Sequence, residues 1–486
     1  MFIPFGTYRP DVSDLRGEHS ILLSNVLPRG DGYGPFPGVS ALSSAAAAAV
    51  RGAFFARKSD GSVVIFAGTS TKLYKLNNTT YAWGDVSKAA GTYTALPSTD
   101  QWQFAQFGNY VFAVQANIVP QVFDLSSSTE FADLGGSPPQ ARYISVVGKF
   151  VVLSGLLSNP FRIHWSGLNA TTTWTSGTSS SDYQDFADGG IVRGVAGGET
   201  GVIFQDGVIR RMTYAPGSPL IFQIDRVTTD IGLYAPLSLI CANGKVYFLA
   251  SQGFYEMEPN GFPMPIGREY FDRTFIAEYD SGNSQLMIGV GDPKAGRVFW
   301  AYKTLSGTTG LFDKILCYDI ALKRATVITQ SGEYISSISQ PGVTLESLNS
   351  ISGSIDSLTQ SLDSFNSSVT PELGIFDSTH ILGLFRGNNL EATLETGEQA
   401  QQDNLRIYVS GIRPITDAPT VYASLTTRET AQATATTSTE SLVNSVGVCP
   451  MRVSTRYARA KLRIPAATTW TYATGVEADA MPDGQK

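Results

Sequence analysis

The sequence predicts an all-β protein, and three observations carry that prediction. Charged residues make up only 16% of the 486-residue chain, which holds 48 Gly, 24 Pro, 26 Phe and 21 Tyr. Few charges with many turn-formers and aromatics suit short strands joined by tight turns. One template also recurs along the chain: a Gly or Asn, an apolar strand, a few turn residues, and a returning strand. Finally, no amphipathic stretch long enough for a crossover helix separates the copies, as a parallel βαβ array would require.

Residues 1–50 stand outside the repeat. The segment "NVLPRGDGYGPFPGVS" places Pro28, Gly30, Gly32, Gly34, Pro35 and Pro37 close together. Such spacing excludes regular structure and predicts an extended, packed arm. The run Ala45–Ala49 favours helix but is too short to hold one alone.

Residues 51–340 carry the template. Its copies include "GSVVIFAGTSTKLYKL" from Gly61, "GNYVFAVQANIVPQVFDL" from Gly108, "GKFVVLSGLLSNPFRIHW" from Gly148 and "TGVIFQDGVIRRMTY" from Thr200. "NGKVYFLASQGFYEMEP" follows from Asn243, and "AGRVFWAYKT" from Ala295 is answered by "KILCYDIAL". Aligned on Val64, Tyr110, Phe150, Val202, Val246 and Val298, they recur roughly every 40–50 residues, the period of a four-stranded propeller blade. The expectation is a β-propeller of about six blades. In "KVYFLA", Val246, Phe248 and Ala250 are apolar on one face, and Tyr247 and Leu249 on the other, so both faces must be covered. "VIRRMTY" sets Arg210 and Met212 against Arg211 and Thr213, the mark of an outer, partly wet strand.

Residues 341–370 form a connector rich in Ser, Leu and Asp. Leu348, Ile355 and Leu362 recur every seventh residue. Serines crowd the intervening positions and Gly353 interrupts them, so a free-standing coiled coil is a poor fit. Two readings stay open: the stripe packs on its own chain, or it contacts a neighbouring subunit.

Residues 371–486 read as a β-sandwich, with strands such as "HILGLFR", "LEATLET", "LRIYVSGIRP" and "TVYASLTT". In "MRVSTRYARAKLRIP" the apolar residues change parity near Tyr457, which predicts a bulge or a sheet-switching bend there. The stretch at 430–441 is low in complexity and reads as a mobile loop. Arg452, Arg456, Arg459, Lys461 and Arg463 make the dense basic run of the chain. Arg459, Lys461 and Arg463 share one strand face, either as a solvated, salt-bridged surface or as a docking patch for an acidic partner.

Little in the sequence points to catalysis. His19, His164 and His380 lie far apart, with no metal-ligand spacing around them. No nucleophile elbow or phosphate-binding loop occurs. Asp182, Asp185 and Asp188 are spaced for a turn rich in side-chain bonds, with calcium as the other reading. Cys241, Cys317 and Cys449 read as buried free thiols. No cofactor, metal or catalytic residue is assigned, and no enzyme activity is expected. No window is apolar enough for a membrane span, and the N-terminus lacks the pattern of a secretory signal. A net charge of −7 argues against a general nucleic-acid-binding surface.

Several stretches, taken in order, carry a resemblance. They are "LPRGDGYGPFPG" with "FAGTSTKLYKL", then "RIHWSGLNATTTWTSG" and "DYQDFADGGIVRGVAGGETGVIFQDGVIRRMTY", then "DIGLYAPLSLICANGKVYFLASQGFYEM" and "PIGREYFDRTF", and last the Leu-Asp-Ser repeats of 347–364 and "NLEATLETGE". With these, the chain resembles the tail-hub and tail-nozzle proteins of short-tailed bacteriophages. The resemblance implies a structural virion protein assembled in the bacterial cytoplasm, a homohexameric ring below the portal and adaptor. It implies a channel for DNA ejection, without sequence-specific contact to the genome, and contacts to tail fibres or spikes. Leu348, Ile355, Leu362, Arg459, Lys461 and Arg463 are the candidate subunit or partner contacts. The competing reading is a propeller-type carbohydrate-binding protein or glycoside-active enzyme, with Trp165, Trp174 or Trp470 stacking on sugars.

Overall fold

A computed structural model describes the chain except for residues 1, 14, 16, 293, 340–370, 401–404 and 484–486. It is all-β. Among the described residues, the single α-helix is Asp272–Glu278.

The recurring template becomes a recurring antiparallel sheet. The first sheet is Ala53–Arg57, Val63–Gly68, Leu73–Leu76 and Trp83–Asp85. The second to fifth repeat this order, opening on Gln103–Phe107, Ala141–Val147, Val192–Ala196 and Ile240–Ala242. The sixth set is Ile288–Asp292, Arg297–Tyr302, Phe312–Asp319 and Arg324–Gly332. A seventh sheet joins Tyr334–Ile338, Glu372–Phe376 and Ile381–Leu384 to Ser40–Ala45 from the N-terminal region. All six aligned template positions fall in the second strand of successive sheets.

The period-two side-chain alternation of a strand explains how the sheets cohere. In Val63–Gly68, Val63, Ile65 and Ala67 enter one core while Val64 and Phe66 enter another. In Lys245–Ala250, Val246 and Phe248 face the fourth sheet's Val202 and Phe204, while Tyr247 and Leu249 face the sixth sheet's Val298 and Trp300. Each second strand is therefore buried on both faces, as its two-sided apolar sequence requires. Neighbouring sheets share cores in chain order, and the seventh shares one with both the sixth and the first. Phe66 of the first sheet meets Phe123 and Phe131 of the second region at ring distances of 5.1 and 5.4 Å. Burying one such ring contributes roughly 1.5–3 kcal/mol.

The remaining strands make two facing layers over a common core. One layer holds Phe2–Pro4, Val26–Pro28, Tyr33–Pro35, Ile407–Thr416, Cys449–Thr455 and Ala473–Pro482. The other holds Ser20–Ser24, Ala392–Thr396, Tyr422–Arg428 and Tyr457–Ile464, with short edge pieces. Leu23, Leu394, Leu425, Leu462, Ile412, Met451 and Val476 fill the space between. The second layer continues the sixth sheet through a parallel pairing of Ser24 with Val327, so one sheet runs through both parts of the molecule.

Several sequence expectations change here. The proline- and glycine-rich arm was expected to lack regular structure, yet Val26–Pro28 pairs with Tyr33–Pro35. The strands are only three residues long, and Pro28 and Pro35 sit at their ends, where a missing donor is tolerated. "HILGLFR", read as part of the C-terminal unit, completes the seventh sheet instead. Part of the 430–441 stretch pairs at a sheet edge, Thr436 and Thr437 lying opposite Thr427 and Thr426. The parity change near Tyr457 is the expected sheet switch: Cys449–Thr455 pairs with Ile407–Thr416, and Tyr457–Ile464 pairs with Ala392–Thr396 and Tyr422–Arg428. Arg456 is the residue between them.

Candidate functional site: a basic strand and a central cleft

Strand Tyr457–Ile464 alternates strictly. Ala458, Ala460, Leu462 and Ile464 are buried, and Arg459, Lys461 and Arg463 stand on the opposite face. That face is matched by carboxylates of the same chain. Arg459 Nε lies 3.4 Å from Glu395 Oε1. Lys461 is in register with Glu395 on the neighbouring strand and adds to the positive field on Glu440. Arg463 donates to Glu440 at 2.6 Å and Glu391 at 3.0 Å, and lies over the Tyr422 ring at 4.4 Å. These bonds raise the Arg463 pKa, with Glu440 the larger cause, and hold Glu440 below the usual carboxylate range. The face ties three strands together; each exposed pair contributes about 0–1 kcal/mol. Leu348, Ile355 and Leu362 lie outside the described residues.

The other singled-out residues go to structural partners. His164 Nε2 is 3.0 Å from the Trp174 carbonyl, and burial is the main cause that lowers its pKa. His380 Nδ1 is 2.6 Å from Glu333 Oε1. Asp182, Asp185 and Asp188 do not converge: Asp182 accepts from Ser176, Asp185 pairs with Arg162, and Asp188 pairs with Arg210 and Arg226. Among the described residues, no three His, Cys, Asp or Glu side chains are grouped to hold a metal ion. Trp165, Trp174 and Trp470 are buried and offer no open face to a sugar. Cys317 and Cys449 are buried free thiols as expected, but Cys241 is exposed at a sheet edge strand. Among the described residues, no helix is long and apolar enough to cross a membrane.

Sequence reasoning missed a cleft of about 250 Å³ that five sheets line together. Gln101 comes from the approach to the second sheet, Arg142 and Tyr143 from the third, Arg193 from the fourth, Leu237 from the approach to the fifth, and Gln285 from the approach to the sixth. Arg51 shapes one wall by donating to the carbonyls of Pro97, Ser98 and Asp100, which presents the Asp100 carboxylate to Arg142. Arg142 Nε donates to Asp100 Oδ2 at 3.0 Å. Arg193 Nε donates to Asp206 Oδ1 at 2.6 Å, and Asp206 also accepts from the Ile191 amide at 3.0 Å. Tyr143 also lines the cleft, against Gly155, and feels the charges of both ion pairs. Gly155 has φ +61, and a Cβ there would come within 2.8 Å of the Tyr143 ring. Burial pushes the Tyr143 pKa up to about 12, so its hydroxyl remains a donor at neutral pH. No local motif announces these residues, because each comes from a different strand.

No protein-family model and no curated protein matches this chain. Among solved structures, it is similar to the extracellular domain of BT4673, a hybrid two-component system from B. thetaiotaomicron. That match has 12% identity and a TM-score of 0.41, and covers 78% of this chain. The chain spans only 41% of that domain. The computationally designed Ika8 protein matches at 12% identity and a TM-score of 0.35, over 62% of this chain and 91% of Ika8. Both likenesses are too loose to carry an architecture or a function.

Proposed function

We propose that this chain is a structural virion protein, one subunit of a homohexameric tail hub or nozzle ring that attaches below a portal–adaptor complex. In this reading the recurring sheets are the blades of a propeller, seven rather than about six. Ser40–Ala45 is the strand that fastens the last blade to the start of the chain, and the two facing layers form a β-sandwich. The ring of subunits encloses the DNA exit channel and carries contacts for fibres or spikes.

The observation that carries the reading is mechanical. One sheet passes from the sixth repeat into the facing layers, so the two parts share strands rather than a linker. A conduit under load during DNA ejection needs such stiffness. Two of the stretches that resemble tail-hub proteins lie at these joints: "LPRGDGYGPFPG" makes most of the Val26–Pro35 hairpin, and "NLEATLET" supplies Ala392–Thr396. Large exposed apolar side chains give a further argument. Leu220, Phe262 and Met264, exposed by 72%, 70% and 62%, lie at the outer edges of the fourth and fifth sheets. Such residues suit contact with another subunit.

Mass photometry and negative-stain imaging of the purified chain, alone and with a portal–adaptor complex, test this. A six-copy ring with a central channel supports it. A particle that stays a single copy under both conditions overturns it.

A further inference from the structure

We propose that the cleft around Arg142, Tyr143 and Arg193 binds a small, hydroxyl-bearing carboxylate of sugar-acid size. This site stands apart from the ring reading, since it lies within one subunit and needs no second copy.

The donors decide the ligand's charge. Each guanidinium uses Nε for its aspartate, Asp100 or Asp206, and among the described residues neither makes a further hydrogen bond. The terminal nitrogens of both forks are therefore available, and so is the Tyr143 hydroxyl, which has no hydrogen-bond partner among the described residues. Two planar forks and a phenol form a donor set for an oxyanion, and a fork matches a carboxylate in bidentate fashion. The aspartates orient the forks and already balance their charge. That favours a single added negative charge over a polyanion such as a nucleic-acid backbone.

The walls decide its size and body. About 250 Å³ is below the usual range for drug-sized ligands, which fits one small ring or short chain. Thr99, Ser284 and Gln285 line the remaining surface with groups that exchange hydrogen bonds with hydroxyls. Gly155 and the Arg51-held loop keep the pocket open without help from the ligand, so little ordering is needed on binding.

Isothermal titration of the full chain with glucuronate, galacturonate and gluconate tests the site, with glucose as neutral control and glucose 6-phosphate as the phosphate control. At least one sugar acid is expected to bind one site per chain, with glucose silent and the phosphate weaker. The R142Q/R193Q double variant should weaken binding by about tenfold to a hundredfold. Y143F, which leaves both ion pairs in place, should weaken it by a smaller factor, and melting curves check that both variants fold. Silence from all three acids overturns the proposal, as does equal binding of glucose or undiminished binding by a folded double variant. Tighter binding of the phosphate overturns the carboxylate assignment.

Discussion

Asn25 joins the two parts of the molecule through four hydrogen bonds. Its backbone has φ 59, a conformation that Asn tolerates better than most residues. Its amide donates to Val327 O at 2.9 Å, and its carbonyl accepts from Phe36 N at 3.2 Å. Its side chain accepts from Thr329 N at 2.7 Å and donates to Glu391 O at 2.8 Å. We expect N25A to cost about 1–3 kcal/mol in urea unfolding, through unsatisfied backbone groups and added strain. N25G should recover the strain part alone. Asp272 gives a second expectation at this scale. Its carboxyl is packed against Gly253 and Gly267, and accepts from Phe254 N at 3.2 Å. Burial is the main cause that raises its pKa from 3.8 to about 7, and Asp11 adds to it. The unfolded chain releases this proton near pH 4, whereas the folded chain holds it to about pH 7. Stability from this group is therefore full below about pH 4 and is lost as pH rises through 7. D272N keeps the acceptor and removes the charge. Its melting temperature relative to wild type should rise between pH 4.5 and 8.5, by the equivalent of a few kcal/mol; parallel curves would contradict the assignment. Neither residue was legible in the sequence. Asn25 matters because of a backbone angle and Asp272 because of its burial, and neither leaves a pattern.

The strands with apolar residues on both faces were the most legible elements, because alternate residues feed two different cores. Phe66 is fully buried in one of these strands, so F66A should cost about 3–5 kcal/mol in chemical denaturation. The seventh sheet was the least legible. Its first two strands are separated by residues 340–370, and its last comes from near the N-terminus, so the regular spacing fails there. Gly383 lies where that last strand pairs: a Cβ would lie 2.4 Å from Val39 Cγ1 and 3.0 Å from Ser40 O. G383V should push Ser40–Ala45 off its partner at a cost of about 1–3 kcal/mol. Hydrogen exchange should then quicken in 40–45 and 381–384 before the other sheets; unchanged protection would show that this pairing does not hold the sheet. The basic strand was half legible. Its alternation was plain in sequence, but the partners Glu391, Glu395 and Glu440 come from other elements, and only the fold shows that Arg459 and Arg463 are engaged within the chain.

The molecule as a whole is a succession of small sheets, each sharing a core with its neighbours and the seventh also with the first, joined through a shared sheet to two facing layers. Composition and template spacing made the all-β class legible, whereas the cleft stayed hidden because it exists only when five sheets meet. If the exposed Phe262 and Met264 are covered by a neighbouring subunit, F262E/M264E should abolish assembly while leaving the melting temperature within a few degrees of wild type. The most direct measurement is the mass and image of the purified chain over a concentration series, with and without a portal–adaptor complex. We expect a closed ring of six copies around an open channel. A species that remains one copy throughout would contradict the assignment of this chain to a tail hub.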